Sequence, residues 1–342
     1  CENDNDHGVQ MSRFHLTWDK GVGLFLVFTI LLGTFSSEYF ATTSNLTFII
    51  RDVAEIAIIA LAMAYLIIAG EIDLSVASML SLSSATIGFL YRAEIPFEMA
   101  LIGGLVASLL AGLFNGFLVT VLGLPSLAVT IATLALYRGM CWILLGNKPV
   151  NQLPQEWVNL GYSQIPGTFL PWTVIPVVIL SAAAWFILHG TRFGRWVFAI
   201  GVNAQAAEFS GIPVKRVKLA LFGFTGLMSG VAGVIYTLRF ASASPDGAVG
   251  YELGVIAAVL FGGVSIAGGI GTLWGVIAAV LSLGVIRSAL QLIDFSANAL
   301  LVVSGSLLLI SVIAPQVTDY VRSQRIKAST TKRIKTKEGV QQ

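Results

Sequence analysis

Long apolar runs alternate with short polar connections along almost the whole chain. A helix needs about 20 consecutive apolar residues to cross the hydrocarbon core of a bilayer. Windows of about this length predict an all-α polytopic membrane protein with about ten transmembrane helices. The predicted spans are residues 22–40, 51–69, 74–92, 99–122, 126–145, 172–189, 218–238, 252–267, 271–293 and 296–314.

Polar segments flank these runs and divide the chain into three predicted parts. Residues 1–20 form a polar leader and N-terminal segment, residues 21–315 a ten-helix membrane domain, and residues 316–342 a basic tail. The 342 residues are 56% hydrophobic and 11% charged, whereas about 25% of a typical soluble domain is charged. The composition therefore excludes a soluble protein, and the acidic residues 1–10 are left out of the fold prediction.

The distribution of basic residues predicts the orientation of the ten spans. Cytoplasmic loops of membrane proteins carry an excess of Lys and Arg. If the N-terminus is cytoplasmic, 14 of the 20 basic residues fall in cytoplasmic segments. Both termini are therefore predicted to be cytoplasmic. The other six basic residues lie singly in outer loops or near span ends, at Arg51, Arg92, Arg138, Lys148, Arg239 and Arg287.

The longest basic connection between spans, residues 192–218, is predicted to lie on the cytoplasmic side between spans six and seven. It carries Arg192, Arg195, Lys215, Arg216 and Lys218 between two strongly apolar runs. Residues 203–209 contain good helix formers after a polar start, and the glycine and proline that follow end a helix within two or three turns. A short cytoplasmic helix is therefore predicted.

Two carboxylates, Glu71 and Asp73, lie between the second and third apolar runs. An unpaired carboxylate in hydrocarbon is unfavourable by about 2.5–3.5 kcal/mol on insertion scales. The segment is therefore either an ordinary cytoplasmic turn or a broken-helix junction beside a protein-lined cavity, where irregular backbone is tolerated. Ser75 is placed to begin a helix, and Asn115 is a polar residue deep within a span. These four residues are the candidates for a translocation path.

Glycine placement predicts close helix packing and one turn. Glycines at spacings of three or four residues on spans four and seven allow helix backbones to approach closely. The run at 262–272 differs, because five glycines interrupt an apolar stretch. It lacks the lysine and the preceding strand of a phosphate-binding loop. A tight turn between helices is predicted there.

No catalytic or metal-binding constellation is predicted. The three histidines are scattered, and Cys1 and Cys141 suggest neither a disulfide nor a metal site. No cofactor is expected.

Four stretches resemble permease subunits of ribose-type bacterial sugar ABC importers. Residues 66–81, LIIAGEIDLSVASMLS, are similar to the G-x-I-D-L-S-V-G-S segment of that family. Residues 112–119 are similar to its G-x-x-N-G segment, residues 131–139 to its T-L-x-x-x-x-x-x-G segment, and residues 259–275 to its glycine-rich run. The family includes permeases for ribose, xylose, arabinose, galactose, rhamnose and autoinducer-2. Two departures are Glu71 and Ala77, which stand where the family has glycine.

The resemblance implies a transport subunit of the bacterial inner membrane, without enzymatic activity, that works by alternating access. It further implies cytoplasmic ATP-binding subunits that hydrolyse ATP, a second permease of the same or a homologous kind, and a periplasmic sugar-binding protein. Membrane lipid is an expected partner and nucleic acid is not. The predicted cytoplasmic helix would contact the ATPase, through residues that match a family pattern or lie within it: Asn203, Ala206, Ala207, Glu208, Ser210, Gly211 and Ile212.

Two further function classes stay open at this stage. An ion-coupled secondary transporter would use Glu71 and Asp73 as an ion relay, since carboxylates within membranes commonly mark such relays. A passive sugar channel would allow uptake without accumulation. Neither the sugar nor the choice between homodimer and heterodimer follows from the sequence.

Overall fold

The computed structural model describes residues 5–295 and, beyond them, positions 302, 305, 306, 309 and 313. Within residues 5–295 the chain forms twelve helices, and the described part contains two isolated β-bridges but no sheet. The predicted tenth span, 296–314, lies largely outside the described residues, and the basic tail lies wholly outside them. The helices are α1 (Asn5–Ser36), α2 (Thr43–Ile68), α3 (Val76–Arg92), α4 (Phe97–Thr120), α5 (Ser126–Leu145), α6 (Gln155–Tyr162), α7 (Val174–Gly190), α8 (Arg192–Val202), α9 (Ala204–Phe209), α10 (Val214–Phe240), α11 (Tyr251–Phe261) and α12 (Leu273–Leu292).

Helix α2 lies at the centre of one half of the bundle. Every residue from Asp52 to Ile68 is buried, on all sides of the helix. A helix that is apolar around its whole circumference must be covered by neighbours. Helices α7, α10, α11 and α12 cover α2, whereas α3, α4 and α5 pack together on the other side of α10. Helix α10 therefore joins the two halves of the bundle.

Glycines allow α4 and α10 to cross with their backbones in contact. A Cβ atom added at Gly112 would lie 2.3 Å from the carbonyl oxygen of Phe222. One added at Gly226 would lie 2.4 Å from the carbonyl oxygen of Ser108. Small residues at such a crossing provide the close van der Waals contact that associates helices in lipid. The predicted role of glycine in these two spans is confirmed.

Nine of the ten predicted spans coincide with helices, with differences at their ends. The fifth coincides completely, at Ser126–Leu145. The second begins at Thr43 rather than residue 51, because the Thr42 hydroxyl accepts a hydrogen bond from the Asn45 N–H and caps the helix. The first is also longer than predicted, since α1 begins at Asn5 within the polar leader and ends at Ser36.

The prediction for the eighth span was wrong in its second half. Helix α11 ends at Phe261, and residues 262–272 are not helical. Gly263 has a φ of +92°, a backbone conformation that side-chain-bearing residues rarely adopt. The glycine run at 262–272 is therefore the tight turn that the sequence predicted, and it replaces the last six residues of the predicted eighth span.

Fewer helices of the structure are long and apolar enough to cross a membrane than the apolar windows of the sequence predicted. Among the described residues, α4, α5, α10 and α12 qualify, and α7 with α8 forms a fifth candidate that is bent by 70°. Helix α2 carries Arg51, Asp52 and Glu55, and α3 has only 17 residues. The structure thus shows an all-helical protein with four or five candidate membrane spans.

The connection between α5 and α7 has structure that the sequence did not predict. It contains the short helix α6, and Gly161 on this helix lies against the backbone of Leu238 at the end of α10. Before α6, the backbone of Val150 exchanges two hydrogen bonds of 2.9 Å with that of Ala243, which follows α10. These contacts attach the connection to the α10–α11 loop.

Candidate functional site

Asp73 is the centre of a buried polar cluster between α2 and α3. Its side chain is fully buried, and its Oδ1 accepts hydrogen bonds from the Ser75 N–H at 2.8 Å and the Ser75 hydroxyl at 2.6 Å. Ser75 is the N-cap residue of α3, and its side chain makes no capping hydrogen bond to the first turn of the helix. The Asp73 carboxylate therefore fixes Ser75 itself, immediately before the helix begins.

Three helices contribute the rest of this cluster. Asn115 on α4 donates to the Ser75 hydroxyl at 2.8 Å, and its Nδ2 lies 3.5 Å from Asp73 Oδ2. The Thr225 hydroxyl on α10 lies 3.4 Å from the same carboxylate oxygen. The Tyr137 hydroxyl on α5 lies 2.9 Å from Asn115 Oδ1. A buried carboxylate is tolerated where donors surround it, and here it connects α3, α4, α5 and α10.

Glu71 lies apart from this cluster. It forms an ion pair with Lys218 in the first turns of α10, and both side chains are largely buried. The structure therefore brings together Asp73, Ser75 and Asn115 but directs Glu71 to a different partner. The sequence did not identify Tyr137, Thr225 or Lys218 as partners of residues 71–75, because tertiary packing alone brings them to this segment.

Residues 70–75 form a non-helical connection between α2 and α3 that is largely covered by protein. An ordinary exposed turn would leave its carboxylates in water, whereas Asp73, Ser75 and Asn115 are all fully buried in protein. None of the four candidates lines the cavity of about 640 Å³ between α2, α7 and α12. Their part in a translocation path therefore stays a prediction.

Replacing Asp73 by asparagine is expected to impair uptake without abolishing it. Asparagine keeps one acceptor oxygen but places an amide N–H₂ group where Asp73 Oδ2 faces two other donors. Leaving buried donors unpaired destabilises a protein by about 1–3 kcal/mol. The uptake rate in cells and the thermal unfolding temperature of the purified variant would measure the effect. Thr225→Val is the control, because it removes one 3.4 Å contact to the Asp73 carboxylate and a local 2.8 Å hydrogen bond to the Phe222 carbonyl. It should change both quantities less.

Helix α8 packs against the bundle, whereas α9 and the residues beside it are largely exposed. The Asn203 side chain accepts a hydrogen bond of 3.0 Å from the Ala206 N–H and caps α9. Gly211 ends α9 with a φ of +82°, and the Ile212 N–H bonds back to the Ala207 carbonyl at 3.1 Å. This is the glycine-terminated cap that ends many helices. The short helix predicted from residues 203–209 is present as Ala204–Phe209.

The seven residues predicted to contact an ATPase divide into two groups in the structure. Ala207 is buried and Ile212 is partly buried against the core, so these two attach the segment to the bundle. The other five are exposed: Asn203, Ala206, Glu208, Ser210 and Gly211. Phe209, which the sequence analysis did not include, is 93% exposed between Glu208 and Ser210. Phe209 is the one aromatic residue of α9, and this was the feature that could have identified it.

Charged residues that the sequence placed in loops or near span ends form a buried network instead. Arg239 on α10 donates to Asp52 at 2.9 Å and to Glu55 at 3.1 Å, both on α2. Arg287 on α12 donates to Asp52 at 3.0 Å, and Arg51 donates to the Tyr162 carbonyl at 2.7 Å. Paired charges of this kind compensate part of their desolvation. The network explains how α2 accommodates three charged residues within a helical span.

Arg138 is also directed towards the protein. Its Nη1 donates to the Gly247 carbonyl at 2.6 Å and to the Ser81 hydroxyl at 2.9 Å. These contacts connect α5, α3 and the loop before α11. Among the described residues, no group of His, Cys, Asp and Glu is arranged to hold a metal ion.

A bundle of apolar helices that encloses paired charges and a buried polar cluster is typical of a membrane transport protein. Residues 45–312 match the model of a protein family described as the permease component of branched-chain amino acid transport systems. The match covers more than half of the 342 residues. The chain therefore belongs to this permease family and is a multi-pass membrane transport subunit rather than an enzyme.

Several relatives within this family are permeases of sugar transport systems. The chain is 34% identical to the D-allose transport system permease protein of Escherichia coli, over 88% of this chain and 92% of the relative. It is 35% identical to the ribose import permease protein of Bacillus subtilis, over 85% and 90% of the two chains. It is 34% identical to the L-arabinose transport system permease protein of E. coli, over 88% and 91%. The resemblance to ribose-type permeases of bacterial ABC sugar importers is confirmed.

Proposed function

We propose that this chain forms the translocation unit of an ABC importer for a monosaccharide and works by alternating access. Separate cytoplasmic subunits would hydrolyse ATP, and a periplasmic binding protein would deliver the sugar. The relatives named for D-allose, ribose and L-arabinose support this substrate class. Rhamnose and autoinducer-2 stay predictions from the resemblance alone. Pairing with a second permease, identical or homologous, is part of the proposal.

The proposed topology has ten spans within residues 21–315 and cytoplasmic segments at 1–20 and 316–342. It places α9 on the cytoplasmic side, in agreement with the basic residues around it. A single cysteine at Gln205, in a variant without Cys1 and Cys141, is therefore expected to react with an impermeant thiol reagent only after the cytoplasmic face is opened. A cysteine at Lys148 is the control and should react from outside. Labelling of Gln205→Cys in intact cells would contradict the topology.

The exposed side chain of Phe209 is the observation that best supports contact with an ATPase subunit. A solvated aromatic side chain on a short, rigidly capped helix is an unusual surface feature, and aromatic residues dominate the binding energy of interfaces. The side chain stands beside Glu208 and Gln205, which are also exposed. Ala207 on the opposite side is buried and attaches the helix to the bundle. Helix α9 is therefore suited to enter a groove on a partner.

Replacing Phe209 by alanine is expected to weaken binding of the ATP-binding subunits by about 10- to 100-fold. Glu208→Lys is expected to abolish transport because it reverses the charge on the exposed surface of α9. Gly211→Leu is expected to abolish it because a side chain would be strained at the positive φ that ends this helix. Binding of purified ATPase to the permease in lipid nanodiscs would measure the first effect. Phe35→Ala is a matched control, because Phe35 is 85% exposed but lies at the end of α1. Wild-type affinity and uptake in all three α9 variants would contradict the assignment.

Reconstitution separates the importer from the other function classes. The permease alone, in vesicles with an ion gradient and candidate sugars but without nucleotide, is expected to accumulate nothing. Uphill accumulation would favour an ion-coupled transporter with Glu71 and Asp73 as its relay, and equilibration without accumulation would favour a channel. The family description names branched-chain amino acids, so leucine is a second candidate substrate for the complete complex.

A further inference from the structure

Three segments that are far apart in sequence meet in one backbone junction. Gly201 lies in the last turn of α8, and a Cβ atom added there would lie 1.7 Å from the Ile68 carbonyl oxygen and 2.4 Å from the Gly269 nitrogen. The Gly269 N–H donates a hydrogen bond of 2.8 Å to the same Ile68 carbonyl. The end of α2, the end of α8 and the glycine turn before α12 are therefore in direct backbone contact. We call this contact the glycine junction.

The same end of α2 has a second connection to the α8–α10 region. Glu71, three residues after Ile68, pairs with Lys218 on α10, and their side chains are only 12% and 18% exposed. Gly201 precedes α9 and Lys218 follows it. Residues 68–71 are therefore attached to both sides of the segment that carries α9.

Residues 68–71 lead directly into the Asp73 cluster. The Asp73 carboxylate binds Ser75 at the start of α3 and lies within hydrogen-bonding distance of α4 and α10. Closely packed backbone has no rotamers that could absorb a displacement, so movement at one side of such a contact is passed to the other. A shift of α8 and α9 would therefore move the α2–α3 connection and the four helices bound to it.

We propose that Gly201 and the Glu71–Lys218 pair are positioning residues that convey the movement of α9 to the Asp73 cluster. This inference rests on the proposed function, because it requires that an ATPase subunit moves α9. Glu71 stands at the variable position of the G-x-I-D-L-S segment, where the family that this chain resembles usually has glycine. The ion pair is therefore a feature of this chain, whereas the backbone contact at Gly201 needs only the absence of a side chain.

The test uses the complete complex of permease, ATP-binding subunits and sugar-binding protein in vesicles. Uptake and ATP hydrolysis are measured together as sugar transported per ATP. Gly201→Ala is expected to keep binding of the ATPase subunits and ATP hydrolysis but to reduce the transported sugar per ATP about tenfold, within the usual range for coupling between sites. Gly139→Ala is the matched control, since a Cβ atom at this helical glycine meets nothing within 4 Å.

The ion pair gives an independent test that does not depend on how well Gly201→Ala folds. Glu71→Lys and Lys218→Glu are each expected to reduce the transported sugar per ATP about tenfold. Combining them restores a pair of reversed charge and is expected to recover most of the loss. Unchanged sugar per ATP in the single variants, or a loss that the double variant does not recover, would overturn the inference.

The wild-type complex separates failure of this inference from failure of the proposed function. If the wild-type permease binds no ATPase subunit or its uptake is independent of ATP, the proposed function is wrong and the inference falls with it. If wild-type uptake requires ATP and the Gly201 and Glu71 variants keep the wild-type ratio, only the inference is wrong.

Discussion

Replacing Arg239 by methionine is expected to lower the free energy of unfolding by about 3–5 kcal/mol, the usual effect of removing one partner from a buried ion pair. Arg239 is the only arginine in the described structure that contacts both Asp52 and Glu55. Glu55 is fully buried, and its Oε1 has no hydrogen-bond partner among the described residues. Without Arg239 its charge would be uncompensated inside the bundle.

Thermal unfolding of the purified permease in detergent or nanodiscs measures this effect. Arg287→Met is the control, because it leaves Arg239 in contact with both carboxylates and removes only the 3.0 Å contact to Asp52. Its loss of stability should be clearly smaller. Equal losses in the two variants would show that Arg239 has no special position in the network.

Replacing Gly226 by leucine is expected to prevent folding of the permease, and Gly226→Ala is expected to destabilise it by about 1–3 kcal/mol through overpacking. The first contacts of a Cβ atom at Gly226 are backbone atoms of Ser108 and Gly112, which no side-chain rotation can move. Helices α4 and α10 would have to separate along their crossing.

The Gly226→Ala variant tests helix packing rather than helix propensity. Alanine favours a helix interior over glycine by about 0.8–1 kcal/mol, so any loss of stability in Gly226→Ala must come from the α4–α10 contact. Gly139→Ala carries the same propensity gain at a position with open space. The amount of monodisperse permease after detergent extraction and its unfolding temperature would be compared. Wild-type stability in Gly226→Ala would show that the helices adjust without loss.

Much of the fold was predictable because a bilayer imposes simple rules on a sequence. Apolar length predicted nine spans that coincide with helices, and glycine spacing predicted the α4–α10 contact. The cap residues Asn203 and Gly211 predicted a short helix, since capping depends on neighbours in the chain. In contrast, helix α6 was missed, because its eight residues lie in a connection of mixed composition whose form depends on packing against α10.

The candidate sites were predictable only in part. Asp73 and Ser75 are two residues apart, so their contact is local, and the sequence brought them into consideration. Asn115, Tyr137 and Thr225 join them from three other helices. The charged residues show most clearly what could not be predicted from the sequence. Arg239 was assigned to an outer loop or a span end, and its partners Asp52 and Glu55 were not considered.

The sequence by itself determined the class of protein, the family and most of the helices, because hydrophobic length, capping and short motifs are properties of residues near one another in the chain. Only the tertiary structure decided which buried charges are paired, which part of the α8–α9 segment is exposed and which backbones touch. These depend on how the helices are arranged around α2 and α10. A charge is tolerated within the bundle because packing places an opposite charge beside it. A glycine is required at a helix crossing because packing places another backbone against it.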